Sequence, residues 1–163
     1  MTLFGSKTQG ALGARNALVA ARAKLQPIPV DQDGIIVKEG LRRAPDFRLA
    51  FVTPTHQQPL GVKMSLARRI ELLKAAEAAN AWIIEDDYDS EFHYGNHRLP
   101  SLKSLDQNDR VLYVGTFSKT LFPEVRLGYI LAPESLVDSF TRIFESVLPK
   151  YPPVHKPFCR ALW

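Results

Sequence analysis

The stretch SLARRIELLKAAEAANAWIIEDDY, residues 65–88, decides the predicted fold because a helix pattern runs directly into a strand pattern. Ser65 can cap a helix that extends to Asn80. Residues at helical spacing predict the side of this helix that faces the core. Leu66, Ile70, Leu73 and Glu77 lie along one face, and Leu72 and Ala76 lie beside it. Residues 82–85 (WIIE) then predict a buried strand, which leads into Asp86, Asp87 and Tyr88.

The same alternation of helix and strand continues on both sides of this stretch. We predict helices over residues 11–24 and 134–148, a buried strand over residues 47–53, and further strands over residues 111–114 and 127–131. Continuous apolar strands separated by amphipathic helices are typical of an α/β fold, here a three-layer α/β/α arrangement with a mostly parallel sheet. The last strand follows its predecessor too closely for a helical crossover, so some antiparallel or non-adjacent pairing is expected.

Composition and charge exclude several classes of protein. The 163 residues are 45% hydrophobic and 23% charged, as in a packed domain rather than a disordered chain. The single cysteine, Cys159, excludes an internal disulfide framework, and no apolar stretch has the about eighteen residues of a membrane span. The first residues show no signal-peptide pattern, which predicts a cytoplasmic protein. The net charge of +4 is spread along the chain, which favours solvated surface over a nucleic-acid footprint.

Polar residues follow three of the predicted strands, at the points where ligands bind in open α/β sheets. They are residues 53–61 (TPTHQQPLG), 86–88 (DDY) and 115–120 (GTFSKT). The third group is not a phosphate-binding loop of nucleotide enzymes. In that motif a glycine precedes the lysine, whereas Ser118 precedes Lys119 here and Tyr113 occupies the earlier glycine position.

A different chemistry needs the residues that are present. A lysine that forms an imine with pyridoxal phosphate requires a carboxylate to hold the pyridine nitrogen protonated and polar groups to bind the phosphate. Lys119 can form the imine, and Asp86 can supply the carboxylate. Taken singly, these residues also have ordinary interpretations: an Asp-Asp pair is often a turn or helix cap, and a lone lysine in a polar turn is usually exposed.

Three segments in a fixed order resemble one family of enzymes. They are TPTHQQPLG (53–61), IIEDDYDSEF (83–92) and GTFSKTLFPEVRLGYI (115–130), and PVDQDG (29–34) fits as well. The sequence resembles the fold-type I pyridoxal-phosphate enzymes of aminotransferase class I/II. Within them it is most similar to the aminotransferase-like domain of the MocR subgroup of GntR-type transcriptional regulators.

The resemblance implies a role for each matching residue. Lys119 is the expected imine-forming, catalytic lysine, Asp86 faces the pyridinium nitrogen, and Tyr88 hydrogen-bonds the phenolic oxygen of the ring. The phosphate is expected to be held by Thr116, Ser118 and Arg126. Class I/II enzymes also use an asparagine that this chain replaces by Gln58, so Gln58 is not among the predicted contacts. No metal site is predicted, since His93 and His97 have no third ligand nearby.

The resemblance also implies that parts of the family pattern are missing. We expect residues 13–151 to be a partial aminotransferase-like large domain, with residues 1–12 and 152–163 as unassigned tails. No winged-helix DNA-binding domain and no C-terminal small domain are expected in this chain, so a truncated fragment that does not itself bind nucleic acid is predicted. The family resemblance further implies a homodimer and an amino acid or amine as effector or substrate.

Three functions stay open at this point. The chain is a cofactor-binding part of a regulator that does not catalyse a reaction, a part of a true aminotransferase, or a remnant that binds no cofactor. The HQQP and DDYDSEF segments favour the regulator origin. Whether the chain is an enzyme is not decided by the sequence.

Overall fold

The computed structural model describes residues 2–6, 12–57, 60–88, 99–117 and 127–147. Within these ranges no helix is long and apolar enough to cross a bilayer. In chain order the elements are β1 (Thr2–Ser6), α1 (Leu12–Ala20), β2 (Lys24–Ile28), β3 (Val30–Asp31), β4 (Gly34–Ile35), α2 (Val37–Arg43), β5 (Leu49–Val52), α3 (Leu66–Ala78), β6 (Trp82–Asp87), α4 (Leu102–Leu105), β7 (Val111–Thr116), β8 (Gly128–Leu131) and α5 (Glu134–Val147).

Six strands form one sheet in the order β2-β1-β5-β6-β7-β8, and β3 and β4 pair as a separate hairpin. All neighbours from β2 to β7 are parallel, and β8 runs antiparallel to β7. The predicted α/β class with a mostly parallel sheet is therefore confirmed, including an antiparallel pairing of the last strand. Parallel direction brings the carboxyl ends of β5, β6 and β7 to one edge of the sheet, where ligands bind in such folds.

Helix α3 begins as predicted, but of the residues predicted for its apolar side it buries only Leu72 and Ala76. Ser65 caps it by accepting a hydrogen bond from the backbone N–H of Arg68 at 3.4 Å. Leu66 and Ile70, which belong to the predicted apolar face, are each 40% exposed. The residues that the helix buries are Arg69, Leu72, Ala75 and Ala76. Small side chains let the helix approach the sheet closely, so packing rather than total hydrophobicity selects this side.

The core lies between α3 and the sheet, with α4 at one end. Leu72 of α3, Ile83 of β6, Leu102 of α4 and Val111 of β7 are all fully buried, and so is Phe47, just before β5. Each large apolar side chain removed from water in this way stabilises the fold by about 1.5–3 kcal/mol. The packed core therefore supports the central strands whose carboxyl ends form the edge described above.

The predicted helix over residues 11–24 is too long. Helix α1 ends at Ala20, and Arg22 then adopts a left-handed conformation with φ of 56°. The backbone N–H of Ala23 donates to the carbonyl of Leu18 at 2.9 Å, which closes the helix in the manner of a Schellman motif. A glycine usually marks this position, and its absence made the end hard to predict. Residues 24–28 form β2, an edge strand that tolerates Pro27.

The sequence pattern does not predict strand β1, which lies in the unassigned tail over residues 1–12. It lies inside the sheet, where it pairs in parallel with β2 on one side and β5 on the other. The stretch TLFGS has few apolar residues and ends in a Gly-Ser pair that is typical of turns. Backbone pairing to two neighbours therefore overrides a weak local signal.

Candidate functional site

Two strands extend further towards the predicted site than the sequence indicated. Strand β6 includes Asp86 and Asp87, which were expected to follow it, and β7 continues to Thr116. Successive side chains of a strand point to opposite faces. Asp86 therefore lies on one face of the sheet with Val114, its partner in register, while Glu85 and Asp87 lie on the α3 face.

Asp86 is a half-buried carboxylate at the carboxyl end of β6. Among the residues that the structure describes, none donates a hydrogen bond to it. Burial raises the pKa of the Asp86 carboxyl, and the negative charge of neighbouring Asp87 raises it further. A positively charged donor placed against Asp86 would relieve both effects.

Tyr88 follows β6 directly and contacts the loop after β5. Its hydroxyl donates a hydrogen bond to the backbone carbonyl of His56 at 2.8 Å. The His56 and Tyr88 rings are stacked, with 6.4 Å between their centroids. Tyr88 is thus held on the same edge of the sheet as Asp86, and the loop over residues 53–57 holds it there.

Thr116 ends β7 at the point where the lysine segment leaves the sheet. Its hydroxyl donates to the carbonyl of Leu127 at 3.4 Å, and the backbone N–H of Phe117 donates to the same oxygen at 2.9 Å. The chain therefore departs after Phe117 and re-enters at Leu127 at adjacent positions of the sheet. The remaining predicted residues, Ser118, Lys119 and Arg126, lie between these points and outside the described residues, as does Gln58.

Gly115 in the GTFSK segment has a packing role. It pairs with Tyr129 across β7 and β8, and the Tyr129 ring covers it so closely that a Cβ atom would overlap the ring. Tyr129 also packs against Phe117, with 5.1 Å between the ring centroids. This glycine thus lets an aromatic side chain pack closely over the strand directly before the lysine segment.

The α3 face of β6 carries a polar network that sequence reasoning missed. Glu85 is fully buried and accepts hydrogen bonds from the backbone N–H groups of Leu102 and Lys103, each at 2.9 Å. Its carboxylate also lies 3.8 Å from the guanidinium of Arg69. Burial raises the pKa of Glu85, against the opposing effect of these donors. The only signal in the sequence was an acidic residue at the end of an apolar strand.

Asp87 continues this network towards β7. It is 6% exposed and accepts a hydrogen bond from the hydroxyl of Tyr113 at 2.6 Å. Asp87 is therefore a structural neighbour of the site carboxylate and occupies the opposite face. Within the described ranges no group of three or more His, Cys, Asp or Glu side chains is arranged to hold a metal ion, and His93 and His97 lie outside those ranges.

The arrangement at the strand ends agrees with a family comparison. Residues 14–149 match the model of the family described as aminotransferase class I and II. The chain belongs to this family. The predicted resemblance to aminotransferase class I/II is thereby confirmed.

Individual relatives include both regulators and enzymes. The chain is 47% identical over 134 residues to the probable rhizopine catabolism regulatory protein MocR of Rhizobium meliloti, a match that covers 82% of this chain and 27% of that protein. It is 39% identical over 109 residues to (S)-3,5-dihydroxyphenylglycine transaminase of Amycolatopsis orientalis, covering 64% and 24% respectively. The chain therefore spans about a quarter of the length of these curated relatives.

A solved structure shows the same fold. Kynurenine aminotransferase from Pyrococcus horikoshii, determined in complex with PMP, matches with a TM-score of 0.82 at 28% identity. The match covers 90% of this chain and 38% of that one. A solved structure with the same fold has therefore been determined with PMP bound.

Proposed function

We propose that this chain binds pyridoxal 5'-phosphate covalently at Lys119, as the aminotransferase-like part of a MocR-type transcriptional regulator, and that on its own it does not catalyse transamination. Family membership and the similarity to the regulator MocR support this assignment. We further infer a cytoplasmic protein that assembles as a homodimer and responds to an amino acid or amine. We assign direct nucleic-acid binding to other parts of such regulators and not to this chain.

The Asp86 carboxylate is the observation on which the proposal rests. It is half-buried, its pKa is raised by burial, and no described residue donates a hydrogen bond to it. A folded protein tolerates such a group where a ligand completes its interactions. A protonated pyridine nitrogen is a cationic donor of the right chemistry, so the described residues fit the cofactor.

Each site residue then has a defined task. Asp86 holds a proton on the pyridine nitrogen, and Tyr88 turns the hydroxyl hydrogen that it donates to His56 in the cofactor-free chain towards the phenolic oxygen of the ring. Thr116, Ser118 and Arg126 bind the phosphate, and Arg126 can do so through two parallel N–H donors. Lys119 carries the cofactor and can exchange a proton through its amine. The bound cofactor supplies an electron sink for a substrate amine.

A titration with pyridoxal phosphate tests the proposal. The purified chain should develop the visible absorption band of lysine-bound cofactor, and Lys119→Ala should abolish that band. Lys74→Ala removes an exposed lysine of α3 and is the matched control, which should leave the band unchanged. A wild-type chain without the band, or a band that persists in Lys119→Ala, would identify the chain as a remnant that does not use this site.

A second measurement separates the regulator from the enzyme interpretation. The similarity to (S)-3,5-dihydroxyphenylglycine transaminase makes transamination the competing function. The loaded chain is incubated with a panel of amino acids, and keto-acid products are measured. We expect binding-induced changes of the visible band without turnover. Sustained keto-acid formation that depends on Lys119 would favour the aminotransferase instead.

A further inference from the structure

Arg69 is a buried cation that links several segments of the chain. It lies in the first turn of α3, and only 2% of its surface is exposed. Its guanidinium donates to the backbone carbonyls of Met64, Pro100 and Pro54, each at 3.1 Å. The carboxylate of Glu85 lies 3.8 Å away. Burial lowers the pKa of Arg69, so these partners offset a substantial desolvation cost.

The contact with Pro54 fixes the loop that holds Tyr88. Pro54 accepts hydrogen bonds both from Arg69 and from the backbone N–H of Met64, at 3.1 and 2.8 Å. Two residues further along the same loop, His56 accepts the hydroxyl of Tyr88. The loop over residues 53–57 is therefore anchored to α3 at one end and to the candidate site at the other.

The remaining contacts support the strand that carries Asp86. Glu85 precedes Asp86 on β6 and is buried on the α3 face against Arg69. Pro100 lies just before α4, whose first backbone N–H groups bind the same Glu85 carboxylate. The Arg69 guanidinium thus contacts the segments that hold Asp86 and Tyr88 in place, although it lies on the opposite face of the sheet.

We propose that Arg69 is a positioning residue for the cofactor site, an inference that rests on the proposed pyridoxal-phosphate function. Its planar fork of donors aligns the loop after β5 with β6, so that Tyr88 and Asp86 are held in place for the cofactor ring. A lysine would keep the charge, but its single ammonium cannot reproduce three donor directions in one plane.

The test compares Arg69→Lys and Arg69→Met with the matched variant Arg68→Met. Arg68 is the preceding residue of the same helix, and its guanidinium binds Asp31 at 3.1 Å in the β3–β4 hairpin. Cofactor affinity is measured from the visible band, and hydrogen exchange is measured on the cofactor-free chain. We expect Arg69→Lys to weaken pyridoxal-phosphate binding at least about tenfold, and Arg68→Met to leave it nearly unchanged.

Hydrogen exchange distinguishes positioning from general stability. The loop amides of Gln57, Gly61 and Met64 are hydrogen-bonded to Val62, Gln57 and Pro54 respectively. They should exchange faster in Arg69→Lys, while the amides at the C-terminal end of α3 keep their protection. Equal cofactor affinity in Arg69→Lys and wild type would overturn the positioning role, and so would a uniform rise in exchange along the whole chain.

The same experiment separates this inference from the proposed function. If the wild-type chain binds no pyridoxal phosphate, the proposed function fails, and the positioning role falls with it. If the wild type and Arg68→Met bind and both Arg69 variants bind equally well, only the positioning role fails. Loss of binding in Arg69→Met alone, with Arg69→Lys unaffected, would show that charge rather than the donor fork is needed, which also contradicts the proposal.

Discussion

The two faces of β6 use carboxylates in opposite ways. On the α3 face Glu85 and Asp87 are buried and accept hydrogen bonds from backbone N–H groups and from Tyr113. On the other face Asp86 lies between them in sequence, yet no described residue donates to it. The pleat of one strand thus divides three consecutive acidic residues into two with hydrogen-bond donors on the α3 face and one, on the other face, that the proposed function assigns to the cofactor.

The largest effect is expected for Glu85→Ala. The substitution leaves the Arg69 guanidinium buried without its carboxylate and removes the acceptor of two N–H groups at α4. Breaking a buried pair in this way costs about 3–5 kcal/mol of the free energy of unfolding. Since folded domains have about 5–15 kcal/mol in total, much of the stability would be lost. Urea unfolding followed by circular dichroism measures the change.

A matched glutamate on the surface provides the control. Glu71 forms an ion pair with Arg68 at 3.4 Å, and its side chain is 35% exposed. Exposed pairs contribute about 0–1 kcal/mol, so Glu71→Ala should have little effect. If Glu85→Ala is no more destabilising than Glu71→Ala, the α3 face of β6 does not have the structural role assigned to it.

The next effect is expected for Asp86→Asn, on the opposite face. An amide has nearly the same shape, but it has no charge to hold a proton on the pyridine nitrogen. Affinity for pyridoxal phosphate should fall about 10–100-fold, measured from the visible band. The neighbouring substitution Asp87→Asn should lower stability by about 1 kcal/mol through its bond to Tyr113 and change affinity little. Equal losses of affinity in both variants would show that the two faces are not functionally distinct.

The dependence of stability on pH should distinguish Asp86 as well. Its pKa in the folded chain is raised above the ordinary value of 3.8. The folded state therefore binds the proton more tightly, and this contribution to stability is present below pH 3.8 and lost as pH rises through the folded pKa. Cofactor-free Asp86→Asn should match the wild type in the most acidic solutions and be more stable than the wild type near neutrality.

Unfolding curves between pH 3 and pH 7, about the range in which carboxyl groups titrate, measure this difference. The stability advantage of the amide should appear only above the ordinary pKa of the carboxyl group. A constant difference at every pH, or a wild type that is more stable near neutrality, would contradict the interpretation of Asp86 as a carboxylate to which no described residue donates.

Local patterns in the sequence predicted most of the central fold. The apolar runs before Asp86 and Gly115 indicated β6 and β7, and Ser65 indicated the start of α3, because each signal is local in the chain. Strand β1 was missed because its pairing with β2 and β5 depends on residues far away in sequence. Long-range backbone pairing leaves no periodic pattern in the strand itself.

The candidate site was predictable only in part for the same reason. Asp86, Tyr88 and Thr116 stood at strand ends and matched family motifs. Nothing in the sequence distinguished Arg69 from Arg68, its neighbour on α3. Arg69 is buried against three carbonyls and Arg68 binds Asp31 of the β3–β4 hairpin, and only the packing of α3 on the sheet decides which arginine is buried.

The smallest effects are expected from removing single hydroxyl groups. Tyr88 lies on the Asp86 side of the sheet, and Tyr113 contacts Asp87 on the opposite side. Tyr88→Phe removes the donor to His56 at a half-exposed position and should cost about 0.5–1 kcal/mol. In the loaded chain the phenolic oxygen loses a donor, so its negative charge is less stabilised and the proton that it shares with the imine is held more tightly. The pKa of the visible band should therefore rise by about one unit. Tyr113→Phe removes the donor to Asp87 on the other face and should destabilise the chain more, without moving that pKa. A shift of the visible pKa in Tyr113→Phe, or none in Tyr88→Phe, would show that the two faces are not separated as proposed.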